Sequence, residues 1–170
     1  GRAGGGGNEF ASSCDMRYGI RGRTSINQME VALGILPGGT GTQRLPRLVG
    51  RGRAMEICLG SDDIDAETAE AWGYLNRIFD NRLELDKFVD DLVRRISAWP
   101  AEAIALCKAS INNAEMPWES GLLEEAYLFQ QTLRTEGAQK NMRKALAMGL
   151  QTRDGELRMG ELCREFGEAD

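Results

Sequence analysis

Histidine is absent from this sequence of 170 residues, and cysteine and aromatic residues are few. The lack of histidine excludes every nucleophilic triad or dyad that relies on an imidazole base. Acid–base chemistry must therefore come from carboxylates, lysine, tyrosine or cysteine. The four cysteines, Cys14, Cys58, Cys107 and Cys163, form no C-x-x-C pair, so a zinc site of the usual Cys/His kind is not expected. We expect them to be free, mostly buried thiols.

Long apolar runs and an excess of positive charge are also missing. No run is long enough to span a bilayer and no signal-peptide pattern is present, so we expect a cytoplasmic protein or one of an organelle matrix. The net charge of −5 argues against a general nucleic-acid partner. A local basic cluster, made of Arg44, Arg47, Arg51 and Arg53, is either a solvated helix face or a patch for an anionic ligand.

Glycine is unevenly distributed, with 14 of its 21 copies in the first 60 residues. The runs at residues 4–7 and 38–41 fit neither the dinucleotide fingerprint nor the P-loop spacing. Glycine at a helix start can, however, let a backbone N–H approach a ligand oxygen, and the helix dipole favours negative charge there. The first run is therefore compatible with an oxyanion hole, or with a tight turn against packed backbone.

The pattern predicts a glycine-rich front and a helical back. The predicted helices follow capping residues or apolar steps of three and four, and cover residues 8–11, 42–49, 54–59, 65–73, 84–99, 100–114, 118–135 and 137–148. Extended segments are expected near residues 15–20, 26–28, 33–36 and 75–79. Pro46 is compatible with its helix only in the first turn. Residues 152–166 could form a helix or a mobile tail.

Two ordered blocks resemble the crotonase, or enoyl-CoA hydratase/isomerase, family. The first covers residues 3–17 and reads AGGGGNEFASSCDMR. The second covers residues 29–50 and reads MEVALGILPGGTGTQRLPRLVG. The resemblance is strong over residues 1–80 and looser beyond, and it corresponds to the C-terminal part of the family, lacking roughly its first hundred residues.

The resemblance implies an α/β fold with three parts. Residues 1–80 would form the C-terminal part of a spiral of ββα turns and carry the active-site motifs. Residues 81–150 would form a helical oligomerisation region, and residues 151–170 a charged C-terminal tail. The expected assembly is a homo-oligomer, either a trimer or a dimer of trimers.

The resemblance also implies acyl-CoA thioester substrates, with no metal or redox cofactor. By position, Glu9 would activate water, Glu30 would protonate C2 of a 2-enoyl-CoA, and the Gly6 N–H would stabilise the enolate oxygen. The same matching assigns substrate contacts to the glycines at positions 5, 38 and 39. Hydration of a conjugated thioester requires these three elements: a base, an acid and an oxyanion donor.

Several positions depart from the family pattern. Met29 stands where the family has proline, Ile26 and Asn27 replace a Phe-Gly pair, and Thr40 replaces a glycine. The usual basic Lys-Arg ending is absent from residues 165–170. The alternatives to a hydratase are an enoyl-CoA isomerase, a non-catalytic oligomeric remnant of the fold, and an RNA-binding relative that uses the basic cluster.

Overall fold

The computed structural model describes residues 1–33, 35–115 and 117–157. Proximity of Cα atoms divides the chain into one unit, Gly1–Val89, and a second that begins at Asp90. Most of the expected C-terminal tail, residues 158–170, lies outside the described residues. So do Gly34, within the second motif block, and Cys163.

The first unit alternates short strands with helices, as an α/β fold requires. Its strands are β1 (Arg2–Gly4), β2 (Tyr18–Ile20), β3 (Ser25–Asn27), β4 (Ile64–Asp65) and β5 (Arg77–Phe79). Its helices are α1 (Gly6–Ser13), α2 (Gly41–Val49), α3 (Arg51–Gly60) and α4 (Ala66–Ala71), with a 3₁₀ helix at Glu30–Leu33. One sheet has the order β1–β3–β4, with β1 parallel and β4 antiparallel to β3, and β2 pairs in parallel with β5.

Strands β1 and β3 carry the polypeptide into the two motif blocks. Their register pairs Gly4 with Asn27, and the Gly5 N–H donates to the Asn27 carbonyl at 3.0 Å. Gly5 then adopts a positive φ of 54°, a conformation that glycine accepts readily, and α1 begins at the next residue. The start of α1 and the chain leaving β3 are therefore held side by side.

The apolar core of the first unit lies under α2 and α3. Gly41, Leu45 and Val49 follow each other at steps of four and form the buried stripe of α2. Leu45 packs in one cluster with Ile57 of α3 and with Ile26 of β3. Burial of such a side chain contributes about 1.5–3 kcal/mol. The helix that follows the second glycine run is thus fixed by its packing in the core.

Three local expectations in this unit are wrong. The strand end expected near residues 33–36 is wrong at its described positions: Leu33 is the last residue of the 3₁₀ helix, and the Ile35 N–H donates to the Glu30 carbonyl at 3.1 Å, which closes a turn. Pro46 is the sixth residue of α2, beyond its first turn. It is tolerated because its missing N–H affects only the carbonyl of Thr42, an exposed residue that water can reach. Helix α3 begins three residues early, after Gly50 turns the chain at φ 82°.

The second unit is helical. Helix α5 (Arg82–Ser97) leads into it, and its further helices are α6 (Ala101–Asn112), a 3₁₀ turn (Asn113–Glu115), α7 (Trp118–Leu133), α8 (Glu136–Ala147) and α9 (Arg153–Leu157). The helical periodicity of the sequence is confirmed here. Thr135 caps α8 by accepting from the Ala138 N–H. Within the ranges described above, no helix is both long and apolar enough to cross a membrane.

The cysteines are free at all three described positions, but they are not mostly buried. Cys14 and Cys107 are exposed, and only Cys58 is partly buried. Cys14 directly follows the last residue of α1, at a surface turn, and Cys107 stands on a solvent-exposed position of α6. The expectation of buried thiols is therefore wrong for these two.

A stability prediction follows from Thr40, which directly precedes α2. Its φ of 87° is a left-handed conformation that a β-branched residue adopts only under strain. We expect Thr40→Gly to raise the free energy of unfolding by about 0.5–1 kcal/mol in urea titrations. The matched control, Thr42→Gly inside α2, should lower it by a few tenths of a kcal/mol, because glycine disfavours a helix interior. Destabilisation by both changes would contradict the strain at Thr40.

Candidate active site

Glu9 lies in α1 with its carboxylate buried at 7 % exposure. Its Oε1 accepts a hydrogen bond of 2.8 Å from the backbone N–H of Gly41, the first residue of α2. A helix N-terminus offers unpaired amides and a positive potential, so it stabilises a carboxylate placed there. The carboxylate of Glu9 therefore connects the first motif block with the second.

The glycines of the second block make room for this carboxylate. A Cβ atom on Gly39 would lie 2.5 Å from Oε2 of Glu9, and one on Gly41 would lie 3.0 Å from Oε1. Neither glycine has a φ in the left-handed range. Glycine is needed at these positions for space, and the turn brings the chain directly against Glu9.

Glu30 begins the 3₁₀ helix and is partly exposed. Its Oε2 accepts a hydrogen bond of 3.0 Å from Nε2 of Gln28. Its Oε1 faces the first glycine run, where a Cβ on Gly5 would approach to 2.9 Å. Gly5 is thus required both by its positive φ and by the position of Glu30.

A buried chain of polar side chains supports Glu30. Asn8 donates through Nδ2 to Oε1 of Gln28 at 2.7 Å, and the Tyr74 hydroxyl donates to Oδ1 of Asn8. Burial raises the pKa of Tyr74 to about 12, so its hydroxyl keeps its proton. These three residues were not identified from the sequence. The only available signal was a polar residue directly before Glu9 and another two positions before Glu30, at Asn8 and Gln28.

The two carboxylates border one region of the first unit. Burial raises the pKa of the Cys58 thiol, and the negative charges of Glu30 and Glu9 raise it further. The thiol of Cys58 therefore lies within electrostatic reach of both glutamates. Cys58 also lines a cleft of about 380 Å³ between α2 and α3, which is mostly apolar and includes Thr42, Pro46, Met55 and Leu59. A cleft of this size and composition can hold an acyl group.

The glycines at positions 6 and 38 differ from their neighbours. Both are exposed, and a Cβ on either would meet nothing within 4 Å. Gly6 is the first residue of α1, where a helix provides no acceptor for the N–H. The structure thus brings Glu9, Glu30, Gly5 and Gly39 into direct neighbourhood and leaves Gly6 and Gly38 open to solvent in the same two turns.

The basic cluster is exposed, and its described contacts are local. Arg44 donates to the Thr40 hydroxyl at 3.1 Å, and Arg47 to the Gln43 carbonyl at 2.7 Å. The Arg53 guanidinium lies 5.7 Å from the centre of the Trp72 ring. Contacts within and between neighbouring helices are typical of a solvated face.

This chain is similar to known proteins in its sequence and in its fold. The sequence profile of the enoyl-CoA hydratase/isomerase family matches residues 1–155. The mitochondrial enoyl-CoA hydratase of Pongo abelii is 34% identical over 146 residues, which are 84% of this chain and 49% of that protein. The mitochondrial methylglutaconyl-CoA hydratase of Mus musculus is 33% identical over 136 residues, 78% of this chain and 43% of that protein.

Solved structures show the same relationship. The enoyl-CoA hydratase of Bacillus anthracis superposes with a TM-score of 0.80 at 30% identity, over 84% of this chain and 55% of that one. That of Thermoplasma volcanium gives a TM-score of 0.75 at 30% identity, over 85% and 56%. The expected α/β crotonase fold with a helical region is confirmed. The chain spans about half the length of the relatives it matches.

The space at Gly39 leads to a prediction about Glu9. We expect Gly39→Ala to push the Glu9 carboxylate off the Gly41 amide and to lower the free energy of unfolding by about 1–2 kcal/mol, since a buried acceptor then lacks its donor. Gly38→Ala, one residue earlier, should change it by less than about 0.5 kcal/mol. Urea unfolding and hydrogen exchange of the Gly41 amide measure both effects. Equal stability and equal Gly41 protection in the two variants would contradict this geometry.

The buried Tyr74 hydroxyl leads to a prediction about pH. Its pKa is raised from 10.0 to about 12 by burial, so the folded state holds this proton more tightly than the unfolded state does. This contribution to stability is fully present below pH 10 and is lost as pH rises to about 12. Urea unfolding between these pH values should show a steeper loss for the wild type than for Tyr74→Phe. A Tyr74→Phe variant with the same slope as the wild type would refute this assignment.

Proposed function

Because this chain belongs to the enoyl-CoA hydratase/isomerase family, we propose that it adds water across the C2–C3 double bond of a 2-enoyl-CoA thioester. The observation that carries the proposal is the placement of two carboxylates, Glu9 and Glu30, around one pair of glycine turns. The activity and substrate of the relatives are transferred here as a proposal, because the chain spans about half of their length.

In the proposed reaction Glu9 is the base. Its Oε1 is engaged by the Gly41 amide, and its Oε2 faces Gly39. A water held by Oε2 loses a proton to Glu9 while its oxygen forms a bond to C3 of the substrate. The electron pair of the C2–C3 double bond then moves toward the thioester carbonyl and gives an enolate. The fixed position of Oε1 leaves one oxygen of Glu9 for this step.

Glu30 is the proposed acid. Oε2 accepts from Gln28, so the proton that moves is carried by Oε1, on the side of Gly5. Transfer of this proton to C2 collapses the enolate and completes the addition of water. The enolate oxygen is stabilised meanwhile by the Gly6 N–H, which is free of intrahelical partners at the start of α1. Net proton return from Glu9 to Glu30 through solvent restores the site.

Hydration can be distinguished from the alternative reaction, isomerisation. An isomerase moves one proton between C2 and C4 and can use a single carboxylate, so the presence of two favours hydration. The apolar cleft at Cys58 is suited to the acyl part of the substrate. The expected trimer or dimer of trimers, the absence of a cofactor and the cytoplasmic location stay predictions.

Neutral amide variants test the glutamates. We expect Glu9→Gln and Glu30→Gln each to lower kcat for hydration of a short 2-enoyl-CoA by about 100-fold or more, the usual contribution of general acid–base catalysis. Glutamine at position 9 keeps a carbonyl oxygen for the Gly41 amide, so the fold is retained. Glu56→Gln on the exposed surface of α3 is the matched control and should leave kcat unchanged.

The assay follows loss of the conjugated thioester absorbance by the purified protein. Absence of turnover in the wild type, or equal rates in all three variants, would contradict the proposed function. A 3-enoyl-CoA substrate distinguishes the isomerase, because conversion of 3-enoyl-CoA to 2-enoyl-CoA that depends on one glutamate alone would replace hydration as the assigned reaction.

A further inference from the structure

We propose that Tyr74 and Asn8 are positioning residues that orient the Gln28 amide and, through it, the carboxylate of Glu30. The hydrogen bonds run in one direction, from the Tyr74 hydroxyl to Asn8, from Asn8 to Gln28 at 2.7 Å, and from Gln28 to Glu30 at 3.0 Å. The role assigned to Glu30 rests on the proposed function. The orientation of the hydrogen-bonded side chains rests on the geometry alone.

The contacts of Gln28 near Glu30 fix the direction of these hydrogen bonds. Nε2 of Gln28 lies 3.0 Å from a carboxylate oxygen and 3.4 Å from the Gly5 carbonyl, and both of these partners offer an acceptor. The amide nitrogen must therefore be on this side, and Oε1 of Gln28 must face Asn8. A donor is then needed from Asn8, which turns its Oδ1 toward the Tyr74 hydroxyl. Each step admits a single assignment once the first is set.

Burial prevents water from substituting for the link from Tyr74 to Asn8 or the link from Asn8 to Gln28. Asn8 and Gln28 are both 0 % exposed and Tyr74 is 1 % exposed. A buried amide that loses its partner either stays unsatisfied or turns over to find another one. Without the Tyr74 hydroxyl, Oδ1 of Asn8 is left without a donor, and the Asn8 amide is held only by its bond to Gln28. A rotated Asn8 amide would bring its oxygen against Oε1 of Gln28, and Gln28 could donate to it only by turning its own oxygen toward the carboxylate of Glu30. The Tyr74 hydroxyl therefore stabilises the orientation in which Gln28 donates to Glu30.

Residues other than Asn8 and Gln28 hold Tyr74 in place. The Arg17 guanidinium lies 5.2 Å from the centre of the Tyr74 ring, and its Nε donates to the Tyr74 carbonyl at 2.7 Å. Tyr74 follows Gly73, which turns the chain after α4 with φ 83°. Tyr74, which lies 44 positions after Glu30 in the sequence, is thus linked to the Glu30 carboxylate through the side chains of Asn8 and Gln28. The ring of Tyr74 also packs in the apolar core, and this packing fixes the position of its hydroxyl.

For the proposed reaction this arrangement has a definite consequence. Engagement of Oε2 by Gln28 leaves Oε1 as the oxygen that carries the transferable proton toward the Gly5 side. Loss of the orientation should therefore affect proton transfer more than substrate binding. The expected signature is a fall in kcat at nearly constant KM.

Nuclear magnetic resonance of ¹⁵N-labelled protein tests the orientation without any assay of activity. In Tyr74→Phe we expect the side-chain amide resonances of Gln28 to shift and its amide protons to exchange faster with solvent, although the Tyr74 hydroxyl is linked to Gln28 through Asn8. The matched control is Tyr18→Phe, whose hydroxyl contacts only the Met16 sulfur among its hydrogen-bond partners in the described structure, and it should leave the Gln28 amide unchanged. An unchanged Gln28 amide in Tyr74→Phe overturns the proposal.

A second variant keeps the test decisive if Tyr74→Phe does not fold. Asn8→Asp retains the acceptor for Tyr74 but removes the donor for Gln28, so Oε1 of Gln28 would face an oxygen and the amide resonances of Gln28 should shift. Unshifted Gln28 resonances in Asn8→Asp overturn the proposal as well.

Kinetics separate the positioning role from a purely structural one. We expect Tyr74→Phe to lower kcat about tenfold, the equivalent of one lost hydrogen bond, with KM changed less than about twofold. In a Gln28→Leu background, Tyr74→Phe should have no further effect on kcat. An additive loss in the double variant overturns the proposal. If the wild type shows no hydration at all, the proposed function fails, and the Gln28 resonances still decide the orientation.

Discussion

The hydrogen bond from the Gly41 amide to the Glu9 carboxylate is the contact on which the rest of the site depends. A buried carboxylate needs a partner, because removal of its charge from water costs several kcal/mol when nothing compensates. Here the partner is the first N–H of α2, a helix whose Leu45 is fully buried in the core. Core packing therefore sets the position of the amide, and the amide sets the position of the carboxylate. The glycines at 39 and 41 follow from this contact, since side chains there would occupy the same space.

A layer of buried polar side chains lies beside this contact, against the apolar core of the first unit. Asn8, Gln28 and the Tyr74 hydroxyl are fully or almost fully buried, yet they lie next to the cluster of Ile26, Leu45 and Ile57. Such networks are stable only when each member has its partners, and in that state they hold a single arrangement. The two glutamates lie on this layer, so their placement is a property of the folded unit as a whole.

The sequence was informative where a residue type has one strong physical use. The helix expected at residues 65–73 follows a capping residue, Asp65, whose side chain accepts from the Thr68 N–H at 2.8 Å, and the glycine run before α1 forms a turn at Gly5 with its positive φ. The resemblance assigned Glu9, Glu30 and the glycines at 5 and 39 to one site, and in the structure Gly39 lies against Glu9 and Gly5 lies against Glu30. The extended segment expected at residues 33–36 is wrong because a short apolar run gives no signal of the turn that the Ile35 N–H closes onto the Glu30 carbonyl. The roles of Tyr74 and Gln28 depend on contacts between distant segments, and a tyrosine within an apolar stretch gives no indication of its hydroxyl's partner.

The central claim is that Glu9, Glu30 and the Gly6 amide act on one thioester. A crystal structure of the protein with a bound 3-hydroxyacyl-CoA, the product of the proposed reaction, tests it most directly. The account predicts a thioester oxygen about 3 Å from the Gly6 nitrogen, with the 3-hydroxyl between the carboxylates of Glu9 and Glu30. A product bound with its hydroxyl away from both carboxylates, or with Gly6 facing no oxygen of the thioester, would contradict it.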